Sequence, residues 1–118
     1  MFIIVLDTNI ILDSIKFKVD LFEELARICN FQYEVAILDK TLKELENKPN
    51  SKLALQLIKD KVKIIPTQYG YVDNLLINLD NKHIVATNDQ ELKKRLRKQN
   101  KSIITLRQKK YLILENVL

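Results

Sequence analysis

The chain has 118 residues, 47% hydrophobic and 30% charged, the length and balance of one globular domain able to bury its own core. One glycine (Gly70), one cysteine (Cys29) and one histidine (His83) exclude a glycine-rich phosphate loop, an internal disulfide and any zinc site of cysteines or paired histidines, so chemistry must rest on carboxylates, hydroxyls and lysines. The net charge of +5 is uneven: residues 93–118 carry nine basic and one acidic side chains, +8, against eleven basic and fourteen acidic, −3, over residues 1–92.

The elements alternate along the chain. Phe2–Leu6 is a continuous apolar run, expected as a strand buried on both faces. At six residues from Met1 it is far shorter than the roughly 18 that a membrane helix needs, and with no basic residue before it and Asp7 ending it, it does not read as a signal peptide. A short helix is expected around Ile10–Ile15. Leu21, Phe22, Leu25, Ile28 and Cys29 share one face of a helix over residues 20–30. Glu34–Leu38 is the second strand, and Asp39 or Thr41 can cap a helix through Leu42 and Leu45. Pro49-Asn50-Ser51 breaks the chain before a helix over Ser51–Lys61. Val62–Ile65 is the third strand, ended by Pro66. Val72, Leu75, Leu76 and Leu79 form a helical stripe, His83–Thr87 is the fourth strand, and Asn88–Asn100 is a polar, basic helix anchored by Leu92 and Leu96. Ser102–Leu106 is the fifth strand; Tyr111–Leu114 is a short further element. No linker or repeat divides residues 1–118, so one domain is expected.

Such alternation predicts a three-layer α/β/α fold around a parallel sheet. In a doubly wound sheet the ligand sits at the carboxyl ends of the strands, where strand order reverses. For the order 3-2-1-4-5 that point lies between strands one and four, which selects Asp7-Thr8-Asn9 and Thr87-Asn88-Asp89. Glu44, after strand two, and Asp73, before strand four, can reach the same crevice. Two carboxylates about 4 Å apart repel by on the order of 4 kcal/mol at an effective dielectric near 20. Such a cluster calls for a cation or a shifted proton, and with no sulfur or imidazole pair at hand the suited cations are Mg²⁺ or Mn²⁺. A metal beside a basic surface points to phosphodiester hydrolysis. Each acid also has a structural use. Asp7 can cap the first helix; Thr41 and Glu44, and Asn88 and Glu91, have capping-box spacing, the latter leaving Asp89 at the first helical position; Asp73 suits a helix's first turn. Tyr69 and Tyr71 are candidates for base stacking or plain surface packing, while His83 and Cys29 read as structural.

The basic end comprises Lys93, Lys94, Arg95, Arg97, Lys98, Lys101, Arg107, Lys109 and Lys110, with three of the chain's four arginines. It is the footprint of a polyanion binder, or else a solvated helix face. The lone cysteine fits a reducing compartment such as the cytoplasm.

The sequence resembles the PIN-domain ribonucleases over nearly its whole length. The resemblance is carried by Val5-Leu6-Asp7-Thr8-Asn9, Leu42-Lys43-Glu44-Leu45, Val72-Asp73-Asn74-Leu75-Leu76 and Val85-Ala86-Thr87-Asn88-Asp89. The stretches Val85–Arg97 and Leu106–Leu114 look most like stand-alone archaeal PIN proteins similar to the eukaryotic small-subunit processome endonuclease. The resemblance implies strand order 3-2-1-4-5 and Mg²⁺- or Mn²⁺-dependent endonuclease activity on RNA, leaving 5′-phosphate and 3′-hydroxyl ends. It makes Asp7 a principal metal ligand, with Glu44, Asp73 and Asp89 completing the acidic site and Thr8, Asn9 and Thr87 supporting it. The subgroup often has a second Asp where this chain has Asn74, which keeps a carbonyl oxygen but brings no charge. The implied substrate is precursor ribosomal RNA, with a toxin-type tRNA or mRNA target as the alternative. A non-catalytic RNA-binding or assembly module is a second reading. A receiver-like signalling domain is a third, but Asp7 lacks an acidic neighbour and the fifth strand ends Thr105-Leu106-Arg107 without the needed lysine. RNA is the expected partner, with no membrane, and the apolar helices leave room for a homodimer face.

Overall fold

The computed structural model describes residues 1–115. In chain order the elements are β1 (Phe2–Leu6), α1 (Thr8–Lys16), α2 (Leu21–Ile28), β2 (Tyr33–Leu38), α3 (Asp39–Glu46), α4 (Ser51–Ile58), β3 (Lys63–Ile65), α5 (Val72–Ile77), β4 (His83–Ala86), α6 (Gln90–Lys98), β5 (Ile103–Arg107) and β6 (Tyr111–Glu115). The sheet runs β3-β2-β1-β4-β5-β6. Its first five strands are parallel, as expected, and the element at Tyr111 becomes a sixth, antiparallel edge strand, with Arg107 opposite Tyr111 and Ile103 opposite Glu115.

Why the apolar runs are continuous is visible in the core. Successive side chains of a strand point to opposite faces. In β1, Ile4 and Leu6 join Ile10, Leu21, Leu25, Leu45 and Ala54 on the face covered by α1 to α4. Val5 joins Leu76, Leu92 and Leu96 on the face covered by α5 and α6. Both faces are dry, so β1, flanked by β2 and β4, has no polar position until Asp7. No helix among the described residues is long and apolar enough to cross a membrane.

Helix ends differ from the sequence expectation where side chains are claimed by tertiary partners. α3 starts at Asp39 with Leu38 as its N-cap, so Thr41 lies inside the first turn and the Thr41–Glu44 capping box does not form. The Asp39 carboxylate instead takes the backbone N–H groups of Lys40 and Thr67. α4 ends at Ile58, ahead of a left-handed Asp60. The β5–β6 turn has Gln108 and Lys109 both left-handed, at φ 55° and 56°. It is closed by the Lys110 N–H donating to Arg107 O at 3.1 Å. Two non-glycine residues in that region cost roughly 1–2 kcal/mol each.

Leu25, fully buried between α2 and the sheet, anchors the α2 side of the core. Leu25→Ala is expected to cost about 3 kcal/mol, read as a lowered denaturant midpoint at unchanged slope.

Candidate active site

β1 delivers Asp7 to the carboxyl end of the sheet beside β4. The Asp7 N–H extends the ladder by donating to Ala86 O at 2.9 Å, and the residue then caps α1. Its structural and site uses coincide. Oδ1 accepts the Thr8 N–H at 2.9 Å, while Oδ2 accepts Thr87 Oγ1 at 2.8 Å and Asn9 Nδ2 at 3.2 Å. Thr87 is fully buried, and its Oγ1 also accepts the Asp89 N–H at 3.1 Å. One hydroxyl thus ties the carboxylate after β1 to the backbone that carries the acid after β4. Asn9 completes the link by accepting the Asn88 N–H on Oδ1 at 2.9 Å.

The cap of α6 corrects the sequence expectation. Asp89, not Asn88, is the N-cap, accepting from the N–H groups of Glu91 and Leu92 at 2.9 and 3.1 Å. Asn88 is claimed elsewhere. Its Nδ2 donates to Asp13 at 2.9 Å, and its Oδ1 accepts Thr105 Oγ1 at 3.1 Å and the Leu106 N–H at 2.9 Å, bolting β4 to α1 and β5. Both Asp89 contacts use Oδ1. Among the described residues no hydrogen bond engages its Oδ2.

Asp7, Glu44, Asp73 and Asp89 line one crevice of about 190 Å³, together with Thr8, Asn9, Leu12, Lys48 and Val72. Glu44 projects from α3 unbound to its own backbone. Burial pushes the Asp7 carboxyl above its ordinary value; bonds from Thr87 and Thr8 pull it back, and the charges of Asp73 and Glu44 push it further up. Burial, then the charge of Asp89, raises Asp73, against Arg95. The four acids therefore feel one another. Thr8 Oγ1, at the crevice wall, is buried with no hydrogen-bond partner among the described residues. Among the described residues no three acidic, histidine or cysteine side chains stand as a formed ligand set. The donors gathered here are all oxygen, the chemistry that suits a hard divalent cation.

Other expected site residues are placed differently. Asn74 does not line this crevice. Its Oδ1 accepts Arg95 Nη2 at 2.6 Å in a neighbouring groove with Tyr71. Lys93, expected as part of the basic RNA-binding end, is buried, and its Nζ donates to Thr105 Oγ1 at 3.1 Å. Arg97 forms a two-pronged pair with Glu115 at 2.9 and 2.7 Å, and Lys101 binds Leu79 O. Lys94, Lys98, Arg107, Lys109 and Lys110 are exposed. Lys48 on the crevice wall and the Asn88–Asp13 bolt went unread in the sequence. The Asn88–Glu91 spacing drew attention to Asn88 as a cap, and Lys48 carries no local signal at all.

Asp7 and Asp73 both hold their proton more tightly folded than unfolded. From pH 3.8, the ordinary carboxyl value, up to their raised folded values, the native chain binds more protons, so this stabilising contribution is lost as pH rises. The melting temperature of the wild type minus that of Asp7→Asn is therefore expected to fall as pH increases above 3.8 and then level off. A difference that climbs with pH would contradict the burial reading.

Comparison with known proteins agrees with this geometry. The family described as "PIN like domain" matches residues 4–109. Ribonuclease VapC4 of Methanocaldococcus jannaschii is 35% identical over 94% of this chain and 95% of that protein. The solved structure of the PIN domain endonuclease Utp24 superposes with a TM-score of 0.84 at 27% identity, covering 97% of this chain and 91% of that one. The order of the five parallel strands, the crevice at the ends of β1 and β4, and these matches together place the chain in the PIN-like domain family.

Proposed function

We propose that the chain is a divalent-metal-dependent endoribonuclease whose site is the crevice of Asp7, Glu44, Asp73 and Asp89. The observation that carries this reading is the buried Asp7 carboxylate, held in one orientation by Thr87, Asn9 and Thr8 while three further acids face the same crevice. Relatives named as a ribonuclease and as an endonuclease support it.

Asp7, Asp73 and Asp89 are the residues to hold Mg²⁺ or Mn²⁺, with Glu44 facing them. When bound, such an ion polarises the scissile phosphate and lowers the pKa of the attacking water. The protein's own part is orientation. Thr87 fixes Asp7 and, through the Asp89 N–H, the start of α6. The N–H groups of Glu91 and Leu92 hold one oxygen of Asp89 and leave its second oxygen to the crevice. Water attacks phosphorus in line and the 3′ oxygen leaves, giving 5′-phosphate and 3′-hydroxyl ends. Basic side chains near the site supply affinity for the backbone and not sequence choice. Precursor ribosomal RNA is the substrate we favour, on the resemblance of residues 85–97 and 106–114; tRNA or mRNA is the alternative.

A catalytically silent RNA-binding module on the same fold is the second reading. It is favoured by Asn74, which replaces an acid and spends its carbonyl on Arg95. In that case RNA binding survives EDTA and no cleavage appears with Mn²⁺.

The test is incubation of structured RNA with Mg²⁺ or Mn²⁺. Asp7→Asn is expected to slow cleavage at least about 100-fold, the upper end of what even supporting residues of metal sites are worth. Equal cleavage by both proteins would remove the mechanism. Mn²⁺ is also expected to raise the melting temperature of the wild type more than that of Asp7→Asn. Thr87→Val keeps shape and removes the linking hydroxyl. It should slow cleavage roughly 10-fold or more in a protein that still melts cooperatively, and an undiminished rate would show that Thr87 does not position the acids.

A further inference from the structure

A second cavity, of about 430 Å³, opens on the other side of Asn88 from the acidic crevice, between α1, the start of α6 and the β5–β6 turn. Lys93 and Thr105 lie in its wall, Phe17 and Lys109 at its rim. Lys93 is 7% exposed, and Thr105 Oγ1 is its hydrogen-bond acceptor. Among the described residues it enters none of the ion pairs. An ammonium has three donors, and a buried cation with no carboxylate within ion-pair distance is costly unless something anionic approaches it. Burial, and the charges of Arg97 and Arg107, press its proton affinity down, against the pull of Glu115 and Asp89.

The rim is built at a cost of its own. Gln108 and Lys109 occupy two successive left-handed positions, where asparagine and glycine are the favoured pair. That turn sets the Lys109 ammonium 5.2 Å from the centre of the Phe17 ring, at the mouth of the cavity, with Arg107 and Lys110 exposed beside it. Strained residues persist where the surrounding structure or a function demands them. The cavity adjoins the crevice directly, since the Asn88 N–H donates to Asn9 on one side while the Asn88 side chain holds Asp13 and Thr105 on the other.

We infer that this cavity is a phosphate subsite for the RNA backbone, in which Lys93 and Lys109 take one phosphodiester group beside the one that lies in the acidic crevice. Asp13 is the acid of its wall, and although Asn88 engages its carboxylate, the remaining negative charge suits a singly charged phosphodiester better than a phosphomonoester dianion. The subsite rests on the nuclease reading for its substrate but not for its chemistry, because it binds without metal.

The experiment measures fluorescence anisotropy of a short labelled single-stranded oligoribonucleotide in EDTA, across a salt series, for the wild type, the double variant Gln108→Asn with Lys109→Gly, and Lys93→Met. The double variant relieves the turn while deleting the charge, so it is expected to melt higher than the wild type and yet bind RNA roughly 10-fold more weakly, the worth of one charge-assisted hydrogen bond. The slope of log affinity against log salt should become shallower by about 0.7 for each phosphate that is no longer neutralised. Lys93→Met should weaken binding by a similar factor, and a thermal melt confirms that it is folded. Unchanged affinity and salt slope in the stabilised double variant would overturn the subsite, as would a wild type that does not bind the oligonucleotide. If RNA is never cleaved but both variants bind more weakly, the nuclease reading fails and the subsite stands; cleavage with unaltered binding by the variants gives the reverse.

Discussion

A single carboxylate taken out of water at the end of the central strand governs the rest of this structure. β1 is apolar on both faces because helices cover both, and the first residue past its dry stretch is Asp7. The sheet therefore carries a charge to the edge of its own core. Hydrogen bonds from Thr8, Asn9 and Thr87 offset part of the burial, but Asp73 and Glu44 add repulsion, and the net effect is a carboxyl that resists ionisation. A protein selected for stability alone would gain by replacing such a group with a neutral one. That it sits in a shared crevice with three further acids is the reason to assign it chemistry.

Much of this was legible in the sequence. Continuous apolar runs named the strands, and the reversal point of a doubly wound sheet selected Asp7 and Asp89 before any spatial neighbour was known. What stayed hidden depended on tertiary competition for side chains. Asn88 and Asp89 are both good caps, and only the demand of Thr105 and Leu106 for Asn88 leaves the helix to Asp89. The Thr41–Glu44 spacing allowed a capping box, but α3 begins two residues earlier, where Asp39 is drawn to Thr67 from a distant loop. Lys93 could not be told from its basic neighbours by composition. It precedes Leu96 by three positions and adjoins Leu92, which puts its stem at the margin of the buried stripe. The antiparallel return of β6, which supplies Glu115 to Arg97, has no local signal beyond a short apolar run.

The same competition changes what the basic end of the chain means. Its charge of +8 reads as one continuous polyanion-binding surface, yet several of its cations already hold partners within the protein. Arg97 answers Glu115, Arg95 holds Asn74, Lys101 holds the Leu79 carbonyl and Lys93 is buried against Thr105. The exposed cations outside these contacts are Lys94, Lys98 and those of the β5–β6 turn, where Arg107, Lys109 and Lys110 cluster. α6 separates the two signs along its length, with Asp89 and Glu91 at the amino end and Arg95, Arg97 and Lys98 in the last turn, as the helix dipole favours. Between the turn and the carboxylates stands Asn88, a residue that contributes no charge and touches both sides. On the proposed function, the cations of the turn face the RNA backbone and the acids hold the divalent ion, with the neutral Asn88–Asn9 contact between the two sets.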